Sequence, residues 1–457
     1  MQPDFLEQKI NITLKKIIEI TKGSFIGPVE SLKSKISTIT IDSRTEKKCD
    51  LYIAIMGKNH DGNQFTKEAL SNDIKFAIIS NPIFQSENTI LVKNGRTALA
   101  NIASFLRKKI KPKIIAITGS NGKTSTKEIL VSIMNNYLGE DKLLHTVGNF
   151  NNNIGLPLTL LNLKSTHTHA VLELGMNHAG EIAELTEIAK PHIALITNIG
   201  EAHIENFKSK DDIAAAKKEL LNNSNQLEAS ILPRDDDYYQ FLSRDKKDSK
   251  QITFGFTKES TINCRILDEK TITIFTPKES CKVKINLLGR HNISNILAAC
   301  ACSYVLDIPI NIMKKGIEEV KPFPGRLEII DSDNGSTVIN DSYNANPSSM
   351  KEAIDVLSSM EGTKILVIGD MAELGNNTNK YHKELGDYIK KSQINFTFAV
   401  GRHTKLTMQQ LDKNEFWFDS KEALLSKLLK IIDSKSIILV KGSRFMRMEE
   451  LISKIIL

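Results

Sequence analysis

The sequence predicts an α/β protein built from three domains, and three observations carry that prediction. The chain has 457 residues, which at roughly 100–200 residues per domain gives two to four units, with three as the central value. From Lys113 onward, short apolar runs alternate with helical stretches, the rhythm of a parallel sheet covered by helices. Changes of character near residues 93 and 320 cut the chain into 1–93, 94–320 and 321–457.

Taken in order, the first part mixes short β-rich pieces such as STITIDSR (37–44) and LYIAIMG (51–57) with polar turns. RTALANIASFLRKKI (96–110) reads as a helix leading into the regular part. KIIAIT (113–118), AVLEL (170–174) and HIALIT (192–197) are apolar with little alternation, as strands buried on both faces are. QITFGF, TITIFTP and CKVKINLL, within 251–288, alternate and sit close together, which predicts an antiparallel patch. A helix is expected from about Asn292. KPFPG (321–325), with two prolines and a glycine, reads as a hinge. Beyond it KILVIGD (364–370), FTFAV (396–400) and SIILVKG (436–442) resume the α/β rhythm.

Composition excludes several classes. With 40% hydrophobic and 25% charged residues the chain is neither disordered nor fibrous. The net charge of +7 comes from 61 basic and 54 acidic residues, and only 11 of the basic ones are Arg. Scattered Lys is a solvated surface, so charge gives no ground for a nucleic-acid partner. Cys49, Cys264, Cys281, Cys300 and Cys302 are odd in number and form no CxxC, which argues against disulfides or a zinc knuckle and for a reducing compartment. MQPDFLEQKI carries acids and lacks the apolar core of a signal peptide. No apolar run nears the ~18 residues that span a bilayer. A cytoplasmic protein without membrane insertion is expected.

The chemistry begins at AITGSNGKTSTKE (116–128), where a buried-type strand runs into a Gly-rich turn and then a helix. Gly119 and Gly122 let the backbone N–H groups of the turn, through Ser120 and Asn121, converge on phosphate oxygens. The helix N-terminus at Lys123–Ser125 adds partial positive charge. Lys123 reaches β- and γ-phosphates, and the Thr124 hydroxyl suits Mg²⁺. The longer GxxxxGK[ST] pattern asks for glycine at 117, where Ile117 stands. Glu173 ends the next buried strand, where a carboxylate points into the ligand crevice of a parallel sheet. His203, in TNIGEAHIENF (197–207), sits at the same rim.

The phosphate loop resembles that of the Mur ligases, ATP-dependent amide-bond-forming enzymes of peptidoglycan precursor synthesis. So do NFNNNIGLP (149–157), ELGMNHAGEI (173–182), TNIGEAHIENF, AAAKKEL (214–220), GRHNISN (289–295), PFPGRLE (322–328), NDSYNANPSSM (340–350) and GDMAELG (369–375), in the family's order. DSYNANPSSM and GDMAELG are most similar to members that join D-alanyl-D-alanine to UDP-N-acetylmuramoyl-tripeptide. One departure is Asn153, where such ligases often carry an acid before Ile-Gly. Relatives that add a diamino acid carry an Asp-Asn-Pro-Arg motif, which is absent here. A nucleotide-binding switch would have no use for two metal-binding strand ends plus Lys217.

The resemblance implies a small N-terminal α/β domain for UDP-substrate, a central P-loop-type domain for ATP, and a Rossmann-like C-terminal domain. It implies ATP as substrate, one Mg²⁺ held by Thr124 with Glu173, a second Mg²⁺ bound by His203, and Lys217 carbamylated by CO₂ into a carboxylate-like ligand. Asn149 and Asn152, with Thr146 beside them, match residues near phosphate and metal. His291, Asn292 and Asn295 resemble the adenine-binding group, and Asn292 is also expected to cap the helix that starts there. Arg326 and Asp341 match residues that reach the nucleotide when the third domain closes. Tyr343, Asn344 and Asn346 are expected along the ribose or the dipeptide, and Lys441 and Arg444 at the dipeptide carboxylate. Ser43, Arg44, His60, Asp61 and Gly62 are the candidates for UDP, with Arg44 facing the diphosphate. A monomer is expected.

Overall fold

Three larger sheets in succession carry the chain, beside a two-stranded and a three-stranded antiparallel sheet. The computed structural model describes residues 11–45, 48–57, 59–244, 249–412 and 415–456. The first ten residues, on which the expectation of no signal peptide rests, lie outside these.

The first sheet orders five strands as Ser24–Ile26, Thr89–Leu91, Phe76–Ile79, Leu51–Ile53 and Ile39–Thr40. Its first pair is antiparallel and the rest are parallel. The helix Gly95–Ile110 follows, capped by Asn94, whose side chain accepts from Thr97 N.

The central sheet has six strands, all parallel: Lys250–Phe254, Ala229–Pro233, Ile193–Ile196, Lys113–Thr118, His169–Glu173 and Leu143–His145. Successive residues of one strand enter different cores. Ile115 and Ile117 pack with the helices Lys123–Leu138 and Arg290–Val305, while Ile114 and Ala116 pack into the larger cluster on the opposite face. Burial on both sides explains the lack of alternation in KIIAIT.

Two expectations are corrected here. QITFGF is not part of the antiparallel patch: Lys250–Phe254 pairs parallel with Ala229–Pro233 and closes the central sheet. The antiparallel patch is Asn263–Asp268, Thr271–Phe275 and Ser280–Lys284 alone. Asn292 does not cap its helix either. The cap is Gly289, and Asn292, inside the first turn, donates from Nδ2 to Leu288 O at 2.8 Å.

The third sheet orders Glu328–Asp331, Thr337–Asp341, Ser436–Lys441, Thr363–Ile368, Phe396–Val400 and Glu415–Phe418. Only the first pair is antiparallel. Val367 and Val440 face one core, Leu366 and Leu439 the other. Among the described residues no helix is long and apolar enough to cross a membrane.

Candidate active site

The strand Lys113–Thr118 ends in the glycine turn, and the helix Lys123–Leu138 begins directly after Gly122. Ile117 occupies the place of the missing glycine because that position is still strand, fully buried and paired in register with Glu173. Gly119 is required: its φ is +150°, and a Cβ there would lie 1.8 Å from Thr197 Oγ1. Gly122, at φ +78°, packs against Asn295. The segment after Ile193–Ile196 clamps the turn. Ser120 N donates to Asn198 O at 3.0 Å, Asn121 N to Asn198 Oδ1 at 2.9 Å, and Gly200 N to Ser120 Oγ at 2.7 Å. Ser125 is buried at the start of the helix. Lys123 curls back, donating to Gly119 O at 2.7 Å and Ser120 O at 3.3 Å. Burial lowers its pKa, Glu173 opposes that shift, and Arg326 adds to it.

Glu173 is buried at the neighbouring strand end. Its Oε2 accepts from Thr124 Oγ1 at 2.9 Å and its Oε1 from Asn151 Nδ2 at 2.8 Å. Behind it, Glu173 N donates to Thr146 Oγ1 at 3.0 Å, and the buried Lys127 holds Thr146 O at 2.6 Å. Asn151 lines the same cleft as Asn149 and Asn152, the two asparagines expected there. Asn149 is exposed, and Asn152 spends its Oδ1 on Ile154 N and Gly155 N at the next helix start. The Thr124 hydroxyl and Glu173 carboxylate are hard oxygen donors of the kind Mg²⁺ takes alongside phosphate and water. No group of three His, Cys, Asp or Glu gathers as a metal site among the described residues. His203 is at the rim, with Nδ1 2.6 Å from Glu373 Oε2 of the third sheet. The geometry of this approach leaves His203 Nδ1 without a hydrogen bond.

Lys217, on the helix Lys210–Asn222, is 2% exposed, so it is no surface lysine. Burial, and then Lys123, push its pKa well below the ordinary value, favouring the neutral amine.

The third sheet reaches into the same place. Arg326 Nη2 donates to Thr124 Oγ1 at 3.2 Å, and its guanidinium lies 4.1 Å from the Tyr343 ring centroid. Asn346 caps the helix Pro347–Ser359 and donates from Nδ2 to Asn121 Oδ1 at 2.7 Å, while Asn121 Nδ2 donates to Ser348 Oγ at 2.8 Å. Asp341 Oδ2 accepts from Lys441 Nζ at 2.6 Å, and the same Nζ donates to Asn344 O at 3.0 Å. Lys441 is therefore buried and paired, with two of its three N–H donors engaged, and it lines the cleft. Arg444 is not at the site: it is exposed, holds Glu449 Oε1 at 2.8 Å, and does not line the cleft. His291 Nδ1 stands 4.0 Å from Glu352 Oε2, a residue that the sequence reading missed. Burial, with Lys441 adding, takes the His291 pKa down to about 4. Asn295 Nδ2 donates to Asn292 Oδ1 at 3.0 Å.

Most of these groups line one cleft of about 540 Å³, with Lys123, Glu173, His203, Asn295, Arg326 and Lys441 among its walls, while Lys217, Lys127 and Thr146 lie outside its lining. Ser43, Arg44, His60, Asp61 and Gly62 are elsewhere, in loops after the adjacent parallel strands Ile39–Thr40 and Leu51–Ile53. There Arg44 is 75% exposed in its side chain and held by its own neighbour Asp42, through Nε and Nη2 at 2.9 Å each. Ser43 Oγ donates to Glu68, and Asp61 Oδ1 caps a short turn by accepting from Asn63 N. A Cβ on Gly62 would meet the Ile55 backbone at 2.7 Å.

Fold and site together define an α/β enzyme of the ATP-dependent ligase class, built on three larger sheets. The chain belongs to the Mur ligase family. The family's catalytic-domain model matches residues 35–107, its middle-domain model 117–303 and its glutamate-ligase-domain model 325–444. A curated relative from Buchnera aphidicola subsp. Baizongia pistaciae, UDP-N-acetylmuramoyl-tripeptide–D-alanyl-D-alanine ligase, is 37% identical over 98% of both chains. A crystal structure of MurF from Acinetobacter baumannii aligns with a TM-score of 0.91 at 31% identity, over 98% of this chain and 99% of that one. MurF from Thermotoga maritima in complex with ADP aligns at 0.83 and 26%, over 91% and 96%.

Proposed function

We infer that this protein joins D-alanyl-D-alanine to UDP-N-acetylmuramoyl-tripeptide at the expense of ATP, in cytoplasmic peptidoglycan precursor synthesis. The observation that carries the reading is the Thr124–Glu173 pair at the phosphate loop, with Arg326 and Asn346 of the third sheet hydrogen-bonded into that loop. A relative with this activity in its name, matching over nearly the whole chain, supports the choice of substrates.

The tripeptide's terminal carboxylate oxygen attacks the γ-phosphorus, and the bond to the β–γ bridging oxygen breaks, releasing ADP. The amine of the dipeptide then adds to the acyl carbon and loses its proton. The carbon–oxygen bond to phosphate breaks from the tetrahedral intermediate. Backbone N–H groups of the turn and Lys123 hold the phosphates, and Arg326 brings a further positive charge as the third domain closes. Closure keeps water from the acyl phosphate. Thr124, Glu173, His203 and a carbamylated Lys217 would hold Mg²⁺, which supplies charge neutralisation for the meeting anions. Lys217 suits carbamylation because a buried neutral amine can add to CO₂, giving a carbamate and a proton. His291, Asn292, Asn295 and Asp341 are read as the adenosine side, and Ser43, Arg44, His60, Asp61 and Gly62 as the UDP side. The division 1–93, 94–320 and 321–457 assigns one substrate set to each part, and the protein acts as a monomer.

The test is a substrate matrix. Phosphate release should require ATP, UDP-muramoyl tripeptide and D-Ala-D-Ala together, and release that ignores the dipeptide would sink the assignment. Lys217→Ala should abolish turnover, with partial recovery on adding short carboxylic acids.

A further inference from the structure

Arg96 stands where the first sheet meets the cleft. It sits in the first turn of the helix Gly95–Ile110, whose start is pressed against the end of the strand Leu51–Ile53. A Cβ on Gly95 would lie 2.1 Å from Ala54 O, so the backbone there has no slack. Leu99, Ile102 and Leu106 of the same helix are buried in the large core shared with the central sheet. The position of Arg96 is thus fixed relative to both sheets.

Its side chain lines the same cleft as Lys123, Glu173 and Arg326, and no other residue numbered below 120 does so among the described residues. Arg96 Nη2 donates to Met56 O at 2.8 Å. Met56 bridges to Asp61, so this bond ties Arg96 to the loop that carries His60, Asp61 and Gly62. The Nε of Arg96 is buried and has no hydrogen-bond partner. Arg44 is held by Asp42 and Arg444 by Glu449, whereas Arg96 holds no acid among the described residues, and unlike Arg107, whose Nε is also buried and unpaired, Arg96 lines the cleft. A guanidinium kept partly dry with a donor unused is unfavourable unless an anion completes it, and its planar fork suits a carboxylate or a phosphate.

We propose that Arg96 binds an anionic group of the UDP-muramoyl tripeptide, a peptide carboxylate or the diphosphate, where that substrate passes from the first sheet to the phosphate loop. This rests on the reading given under Proposed function. ATP is the less suitable occupant, because the bond to Met56 couples Arg96 to the first sheet and not to the nucleotide side.

The experiment compares wild type with Arg96→Gln and Arg96→Lys, each checked for an unchanged melting temperature. Binding of UDP-MurNAc-tripeptide is titrated calorimetrically without ATP, and KM is measured for all three substrates. Arg96→Gln should weaken tripeptide binding by about tenfold or more, with KM for ATP and D-Ala-D-Ala within about twofold of wild type. If Arg96→Gln does not fold, Arg96→Lys should still show a selective loss for the tripeptide substrate, because an ammonium lacks the fork. UDP-MurNAc without peptide separates the sources: an equal loss assigns the diphosphate, no loss assigns the peptide carboxylate. Unchanged tripeptide binding, or a loss confined to ATP, overturns the proposal. Failure of the wild type to release phosphate with dipeptide would instead overturn the reaction, since tripeptide binding is measured without turnover.

Discussion

His203 Nδ1 and Glu373 Oε2 stand 2.6 Å apart across the boundary between the central and third sheets. One belongs to the loop after Ile193–Ile196, the other to the loop after Thr363–Ile368. Beside them Glu205 N donates to Glu373 O at 3.1 Å, and a Cβ on Gly375 would lie 3.0 Å from Glu205 Cα. The two loops fit at backbone distance, so this seam orders the rim of the cleft. Glu373→Ala should lower kcat about tenfold, roughly 1.4 kcal/mol of transition-state stabilisation, and leave tripeptide binding without ATP intact. Steady-state kinetics beside calorimetry checks this; a normal kcat would make the seam irrelevant to turnover.

Asn151 supplies one of the two side-chain hydrogen bonds that hold Glu173, the other coming from Thr124. A hydrogen bond to a charged group contributes about 1.5–3 kcal/mol, so Asn151→Ala should cost roughly 10–100-fold in kcat/KM. Asn149→Ala, at an exposed position, should cost less. A kinetic comparison of the two variants decides it, and the reverse ranking would make the Asn151–Glu173 bond the lesser contribution.

What was legible in the sequence follows from what each signal measures. KIIAIT marks its strand to the residue because burial on both faces leaves an unbroken apolar run. QITFGF alternates as well as a true hairpin strand would, and only its partner, Ala229–Pro233, reveals it as the edge of the parallel sheet. At the site, the glycine turn announced itself through local chemistry, whereas Asn151 hid inside the run of asparagines at 149, 151, 152 and 153. Nothing local tells which of these turns toward Glu173. Arg96, Glu352 and Glu373 escaped for the same reason: each gains meaning only from a residue more than 20 positions away, as Glu352 does from His291. Arg444 misled because a basic residue after a strand end looks the same whether it faces the cleft or its own Glu449.

Arg326 joins two roles, stacking on Tyr343 and donating to Thr124. Thr124 lies on the nucleotide side of the reading and Tyr343 along the ribose or the dipeptide, and neither is in the first sheet. Arg326→Ala should raise KM for ATP or lower kcat by about tenfold while tripeptide binding stays within about twofold of wild type. An equal loss of tripeptide affinity would contradict the assignment of substrates to the three parts.

Glu352 gives the chain a pH signature. Burial, with Asp341 and Asp355 adding and Lys441 opposing, raises its pKa from the ordinary 4.5 to about 7. Between those values the folded protein holds a proton that the unfolded chain has released. Stability contributed by this group is therefore full below about pH 4.5 and declines as pH rises through about 7. Glutamine cannot ionise, so Glu352→Gln should melt higher than wild type above pH 7 and match it near pH 4.5. The gain will be small, because the Glu352 side chain is 35% exposed to the cleft and water screens its charge. Melting temperatures of both proteins without nucleotide, taken from pH 4.5 to 8.5, show the effect, since titrating groups remote from Glu352 cancel in the difference. A melting difference that is the same at pH 5 and pH 8 would mean that Glu352 is already ionised at pH 5 in the folded protein.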